Sequence, residues 1–305
     1  MNTMIHSITI KILFVAGASI VLHSACQTKT KEKAEPVSEN IIQTDSLTYD
    51  FKHPDKKWVL SDSLMEISGI AWLGENKMMV VEDLRPLLYR LKLGDTAATI
   101  TEKILFKETD KDKYDIEDLA LVKDTIYALY SHGKIFKIWK MKKKWMVQEI
   151  KTDLDKENDT EGLAYDSVSG NLLIACKSES AVEGEKSSTR SIFAYEPLKY
   201  VLNKDPFLLI HPKDFKVEAG EKLDFYPSGI AIHPQSHDIF IMSTKENKCI
   251  AEYSRDGKLK AFSYFDKELL PQPEGICFDP QGNLYISTEG RHGKPAYIYE
   301  FMNKK

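Results

Sequence analysis

Cysteine is scarce: the 305 residues hold only Cys26, Cys176, Cys249 and Cys277, and no two form a Cys-x-x-Cys pair. That removes the zinc-ribbon and dithiol-redox classes. The last three are odd in number and lie inside apolar runs, so buried core thiols are expected in place of a disulfide framework. Net positive charge is lacking too, with 42 Lys and Arg against 46 Asp and Glu, a formal charge of -4 and a pI near 6.1. A nucleic-acid partner is excluded on that ground, because phosphate recognition needs a basic stripe. The one cationic run, Lys140-Met141-Lys142-Lys143-Lys144, reads as solvated charge on a hairpin turn. There is no Gly-x-Ser-x-Gly elbow, no His-Glu-x-x-His and no phosphate loop, so the motif-borne hydrolase and nucleotide-binding chemistries have no signal.

What is present is a repeat. Pro273-Glu274-Gly275-Ile276-Cys277-Phe278, an Asp279-Pro280-Gln281-Gly282-Asn283 turn and Leu284-Tyr285-Ile286-Ser287-Thr288 read as a tight hairpin by alternation and turn chemistry. Ser68-Gly69-Ile70-Ala71, Glu117-Asp118-Leu119-Ala120, Glu161-Gly162-Leu163-Ala164 and Ser228-Gly229-Ile230-Ala231 open four further copies. The markers Ser68, Glu117, Glu161, Ser228 and Glu274 are 49, 44, 67 and 46 residues apart. A period in the forties, with strands throughout, is the pattern of β-propeller blades. The fold class expected is all-β, a propeller of five four-stranded blades. The long interval, with its polar stretch from Ser178 to Ser188, reads as one blade with an inserted loop; a sixth blade hidden there is the alternative. Only three strands fit after Glu274, so Lys57-Trp58-Val59-Leu60 is expected to close the ring by pairing with the last blade, which removes exposed sheet edges.

The N-terminal region has a different character. Ile8 to Leu22 has the length of a signal h-region and is short for a membrane span. Ser24-Ala25 precede Cys26, which resembles a bacterial lipoprotein signal with Cys26 as the lipidated residue, although His23 stands where that signal usually has Leu. A plain secretory signal or an N-terminal anchor is the other reading. Residues 1–25 are thus expected to be the signal, 26–48 the lipidated cysteine and a disordered polar tether, and 49–305 the propeller. Gln27 beside the cysteine lacks the Asp associated with inner-membrane retention, so a lipid-anchored position in the bacterial envelope, at the outer membrane, is expected.

In a propeller, the start of each first strand and the end of each second strand meet at one mouth of the central channel. The first column gives Ser68, Glu117, Glu161, Ser228 and Glu274, preceded by Glu66, Asp115, Asp159, Tyr226 and Gln272; the second gives Glu82, Tyr130, Lys177, Thr244 and Glu289. Several carboxylates this close cannot all stay ionised without compensation. Glu117, Glu161 and Glu274 are therefore candidate metal ligands, with Ca²⁺ the cofactor that such oxygen donors suit. Glu66, Glu82, Tyr130, Lys177, Glu289 and Arg291 are candidate ligand contacts. The plainer alternative is that each motif Glu merely accepts backbone N–H groups of the next blade. His132 and His292 follow second strands and are candidate general bases. The only cations found for that face are Lys177, Lys245 and Arg291, too few for a phosphate-handling enzyme.

The motif set Glu66-Ile67-Ser68-Gly69-Ile70-Ala71, Asp115-Ile116-Glu117-Asp118-Leu119-Ala120, Asn158-Asp159-Thr160-Glu161-Gly162-Leu163-Ala164, Tyr226-Pro227-Ser228-Gly229-Ile230-Ala231 and Gln272-Pro273-Glu274-Gly275-Ile276 resembles the SdiA-regulated family of envelope β-propellers. The resemblance covers about Tyr49 to Phe301. It implies a propeller tied to the envelope and brings no settled activity. Two functions lead: a non-catalytic lipoprotein that binds a small molecule or an envelope protein at the acidic mouth, with the membrane as its other partner through the anchor, or a Ca²⁺-dependent phosphoesterase or lactonase using the same mouth; a structural scaffold in a larger envelope assembly is the third.

Overall fold

The structure, a computed structural model, describes residues 47–108, 114–215, 223–291 and 293–304. Cys26, the expected signal, most of the expected tether and His292 lie outside the described residues. Runs of branched and aromatic residues bounded by Gly, Asn and Asp turns form twenty-one strands. The first, β1 (Lys56–Val59), stands apart from the four that follow it. Those are β2 (Ile67–Gly74), β3 (Lys77–Glu82), β4 (Leu87–Leu93) and β5 (Ala98–Leu105), which make the first blade. The second blade is β6 (Ile116–Val122), β7 (Thr125–Tyr130), β8 (Lys134–Met141) and β9 (Lys144–Ile150). The third is β10 (Thr160–Asp166), β11 (Asn171–Cys176), β12 (Arg190–Glu196) and an outer strand in two pieces, β13 (Val201–Leu202) and β14 (Leu208–Ile210), both paired with β12. The fourth is β15 (Pro227–Ile232), β16 (Ile239–Ser243), β17 (Cys249–Tyr253) and β18 (Leu259–Tyr264). The fifth joins β19 (Pro273–Phe278), β20 (Leu284–Thr288) and β21 (Tyr297–Phe301) to β1.

The first strands β2, β6, β10, β15 and β19 contact one another in turn and close a ring, so the protein is a five-bladed β-propeller. The 67-residue interval holds one blade, lengthened by the 177–189 loop and by the break in its outer strand; it hides no sixth.

The core is divided among five apolar clusters, each lying between two neighbouring blades. In β11, Leu172, Ile174 and Cys176 face the second blade, while Leu173 and Ala175 face the fourth. Both faces of an inner sheet are therefore dry. That is why the second strands read as continuous apolar runs without the alternation of a half-wet sheet. Cys176, Cys249 and Cys277 fall in three different clusters as free, buried thiols.

Ring closure rests on Trp58. The β1–β21 register sets Trp58 opposite Ile298, and its ring stacks on Tyr285 with centroids 6.2 Å apart. Its indole N–H donates to the Gly94 carbonyl of the first blade at 2.7 Å. One side chain thus ties the fifth blade to the first. Upstream, Tyr49 and Phe51 pack into the cluster between the fourth and fifth blades, and the Tyr49 hydroxyl donates to Gly282 O at 2.8 Å. The chain enters the propeller beside the β19–β20 turn.

Candidate functional site

Each first hairpin carries a β-bulge, and all five bulges fall at the same height. Pairing slips between Ile67 and Ile70, Ile116 and Asp118, Thr160 and Gly162, Pro227 and Gly229, and Pro273 and Ile276. The residues skipped include every marker: Ser68, Glu117, Glu161, Ser228 and Glu274. A bulged residue leaves the ladder and its side chain is re-aimed, which is how a sequence column becomes a spatial cluster at one mouth of the channel. The bulge also crowds the axis. A Cβ on Gly275 would run into the Ser68 carbonyl and Ser287 Oγ, so only glycine fits there.

Polar ties then stitch neighbouring blades. Ser68 Oγ donates to Ile116 O at 2.8 Å, and Ser228 Oγ to Pro273 O at 3.4 Å. Asp118 is fully enclosed, and its two carboxylate oxygens accept the N–H groups of Leu119 and, from the next blade, Leu163, each at 2.7 Å. Asp118 takes the backbone-accepting role considered for the motif glutamates. Burial nonetheless pushes its carboxyl well above the usual range.

The three glutamates are left for the channel. Lys177 Nζ lies 3.0 Å from Glu161 Oε1, while neither Glu117 nor Glu274 has an ion-pair partner among the described residues. Burial, then Glu161, Asp115 and Glu274, raise Glu117 well above the ordinary carboxylate value. Burial and then Glu161 do the same to Glu274, against the pull of Lys177. Burial outweighs Lys177 to raise Glu161 as well. Burial opposes the charge on Lys177, but Glu161, Glu274 and Asp159 outweigh it and hold the ammonium above its ordinary range. Glu289, half-buried, is pushed up to about 7 by burial, then Glu66 and Asp83. Among the described residues, Lys177 is the one cation ion-paired with any of the three motif glutamates, and Arg291 also draws on Glu289. Gln272 Oε1 is also buried there without a hydrogen-bond partner among the described residues.

The remaining expected residues disperse. Glu82 is buried and already paired with Arg85, Nε to Oε1 2.6 Å, with the Tyr89 hydroxyl 3.4 Å away. The Tyr130 ring packs edge-on against His132, centroids 5.1 Å apart, and His132 is exposed. Arg291 is exposed and bridges to Lys294. Among the described residues no three His, Cys, Asp or Glu side chains are arranged to hold a metal ion, so Ca²⁺ at Glu117, Glu161 and Glu274 would require them to draw together. No helix among the described residues is long and apolar enough to cross a membrane.

Two features went unread in the sequence. The other end of the channel is an apolar funnel of about 360 Å³, rimmed by Trp72, Leu121, Tyr165, Ile232 and Phe278. Every rim residue stands four places after a marker, a spacing that would have revealed it. The second is a set of cations on the acidic face beyond Lys177, Lys245 and Arg291. Lys57, Lys267 and Lys294 join Arg291 around one groove, which removes the argument that this face has too few cations for an anionic ligand.

The architecture recurs in solved structures. A glutaminyl cyclase from Myxococcus xanthus superimposes with a TM-score of 0.57 at 12% identity, over 82% of this chain and 95% of that one. A gluconolactonase from Xanthomonas campestris gives 0.46 at 16% identity over 77% and 72%, and a Bacteroides thetaiotaomicron protein of unknown function 0.46 at 12% over 85% and 73%. At 12% identity the likeness to the glutaminyl cyclase is one of fold. No curated protein matches the chain. The SdiA-regulated family model, however, matches residues 65–302, which takes in all five bulged markers and the acidic mouth, and the chain belongs to that family.

Proposed function

We propose that this protein is an envelope-anchored, non-catalytic binding propeller whose ligand presents positive charge and hydrogen-bond donors to the acidic mouth. The observation that carries this is the shortage of ion pairs there: Lys177 pairs with Glu161, while among the described residues Glu117 and Glu274 have no ion-pair partner and Gln272 Oε1 has no donor. A ligand bearing an ammonium or guanidinium group, from a small molecule or an envelope protein, would meet acceptors on several sides. Ca²⁺ is the simplest cation to satisfy them, through carboxylates moved together. A Ca²⁺-dependent hydrolase would in addition need a base at the metal: the His132 ring packs on Tyr130 and faces solvent, and the other candidate, His292, lies outside the described residues.

The anchor rests on the sequence around Cys26. Tyr49, the first aromatic residue of the propeller, packs beside the β19–β20 turn, at the end of the channel opposite the acidic mouth. Lipidation is tested by metabolic labelling with radioactive palmitate, which Cys26→Ala should abolish together with recovery in the membrane fraction.

Calorimetric titration of the mature chain with Ca²⁺ and, separately, with spermidine tests the mouth. Saturable heat with either, lost in Glu117→Gln/Glu274→Gln, is the expected outcome. Absence of heat and of any rise in melting temperature with both would sink the reading.

A further inference from the structure

A groove of about 510 Å³ opens above the cluster between the fourth and fifth blades, with Leu269, Pro271, Tyr297 and Tyr299 in its walls. Four cations converge on it from three parts of the chain: Lys57 from β1, Lys267 from the loop after β18, and Arg291 and Lys294 from the loop after β20. None of the four has an ion-pair partner among the described residues. Lys57 Nζ instead lies 3.7 Å from the centroid of the Tyr297 ring. The carboxylates in the lining are Glu268 and Glu289, so with both ionised the groove keeps two positive charges in excess. Just beyond it, burial and then the like charges of Arg291 and Lys267 depress Lys248. Four cations line one groove against two carboxylates, and such an excess of one sign favours a counter-anion.

We propose that this groove binds a phosphate monoester borne on an apolar or aromatic body. The dianion matches the charge excess, the Arg291 guanidinium offers a two-pronged donor, and the lysines act as point charges around it. The tyrosine and proline wall takes the organic part, and the volume lies within the ordinary range of small-molecule sites, about 300–1,000 Å³. The groove borders the mouth through Glu289 but is not lined by Glu117, Glu161 or Glu274, so the inference does not require that mouth to take a cation.

The test is calorimetric titration of the mature chain with phenyl phosphate, inorganic phosphate and phenol at low salt. The variants are Lys57→Gln/Arg291→Gln and, on exposed loop positions that leave β1 untouched, Lys267→Gln/Lys294→Gln; Lys140→Gln/Lys143→Gln serves as the remote control. Saturable one-to-one binding of phenyl phosphate, at least tenfold weaker in both groove variants and unchanged in the control, is expected. Inorganic phosphate should bind roughly tenfold more weakly and phenol not at all. No saturable heat with phenyl phosphate, equal weakening in the control, or phenol binding as tightly as the ester would overturn the proposal. Equal affinity for inorganic phosphate would overturn the apolar body.

Discussion

The Leu163 backbone N–H of the third blade donates to Asp118 Oδ2 of the second at 2.7 Å, a carboxylate tie at this joint where the first–second and fourth–fifth joints carry serine hydroxyls. Asp118 holds two such N–H groups at once, so Asp118→Asn must turn its amide N–H₂ toward one of them. Leaving a buried donor unpaired costs about 1–3 kcal/mol. Urea denaturation should show a loss of that size, and Asp118→Gly should lose as much although it restores the motif of the neighbouring blades. An unchanged midpoint in both would show that the tie is dispensable.

Lys177 is the ion-pair partner of Glu161 at the mouth among the described residues. Lys177→Met leaves Glu117, Glu161 and Glu274 facing one another without a cation, and breaking such a pair by removing one partner costs about 3–5 kcal/mol when both ions are buried. The loss at pH 8 should shrink as the pH falls and the carboxyls take up protons. Thermal melts of the variant at pH 5.5 and pH 8 measure the difference.

The mouth also sets how the whole fold responds to pH. The Glu289 carboxyl, ordinarily near 4.5, is held at about 7 in the folded chain, so the folded state binds a proton that the unfolded state gives up between those values. Stability is therefore greatest below about pH 4.5 as far as this group is concerned, and declines as pH rises through 7. Burial of Glu117 and Glu274 pushes in the same direction. Urea midpoints should fall between pH 5 and pH 8. Glu289→Gln should recover about 1 kcal/mol at pH 8, allowing for solvent screening at a half-buried site, and should flatten the profile. A flat profile in the parent protein would contradict the assignment.

Trp58 is 3% exposed and contacts both the fifth and first blades. Trp58→Ala should cost about 3–5 kcal/mol by the lost burial and the cavity left behind. Trp58→Phe keeps most of the apolar volume but leaves the Gly94 carbonyl without its donor, and should cost about 1 kcal/mol. Equal losses would mean that the indole N–H contributes more than the packing.

The architecture was legible because a blade is a local object: hairpin turns and the recurring markers lie within a few dozen residues of one another. Trp58 could be placed because the last blade was one strand short. The acidic column was legible for the same reason, since every copy bulges at its marker. Asp118 was readable only as a departure from glycine, because its function depends on Leu163 of the next blade. The cationic groove was hidden more deeply. Lys57, Lys267 and Lys294 share no motif and meet only because the ring closes. The apolar rim of Trp72, Leu121, Tyr165, Ile232 and Phe278 had a regular spacing, but apolar residues in strands point first to a core.

The pairing of β1 with β21 fixes the order in which the molecule can be completed. β1 is the first described strand to leave the ribosome and β21 the last, with Lys56 opposite Glu300. The four intervening blades are made of neighbours in sequence and can form as they emerge, but the earliest strand must wait, unpaired, for nearly the entire chain. Closing so long a loop is slow relative to hairpin formation. Until β21 is made, the chain is thus an open arc without its β1–β21 seal, and loss of β21 leaves the ring unsealed.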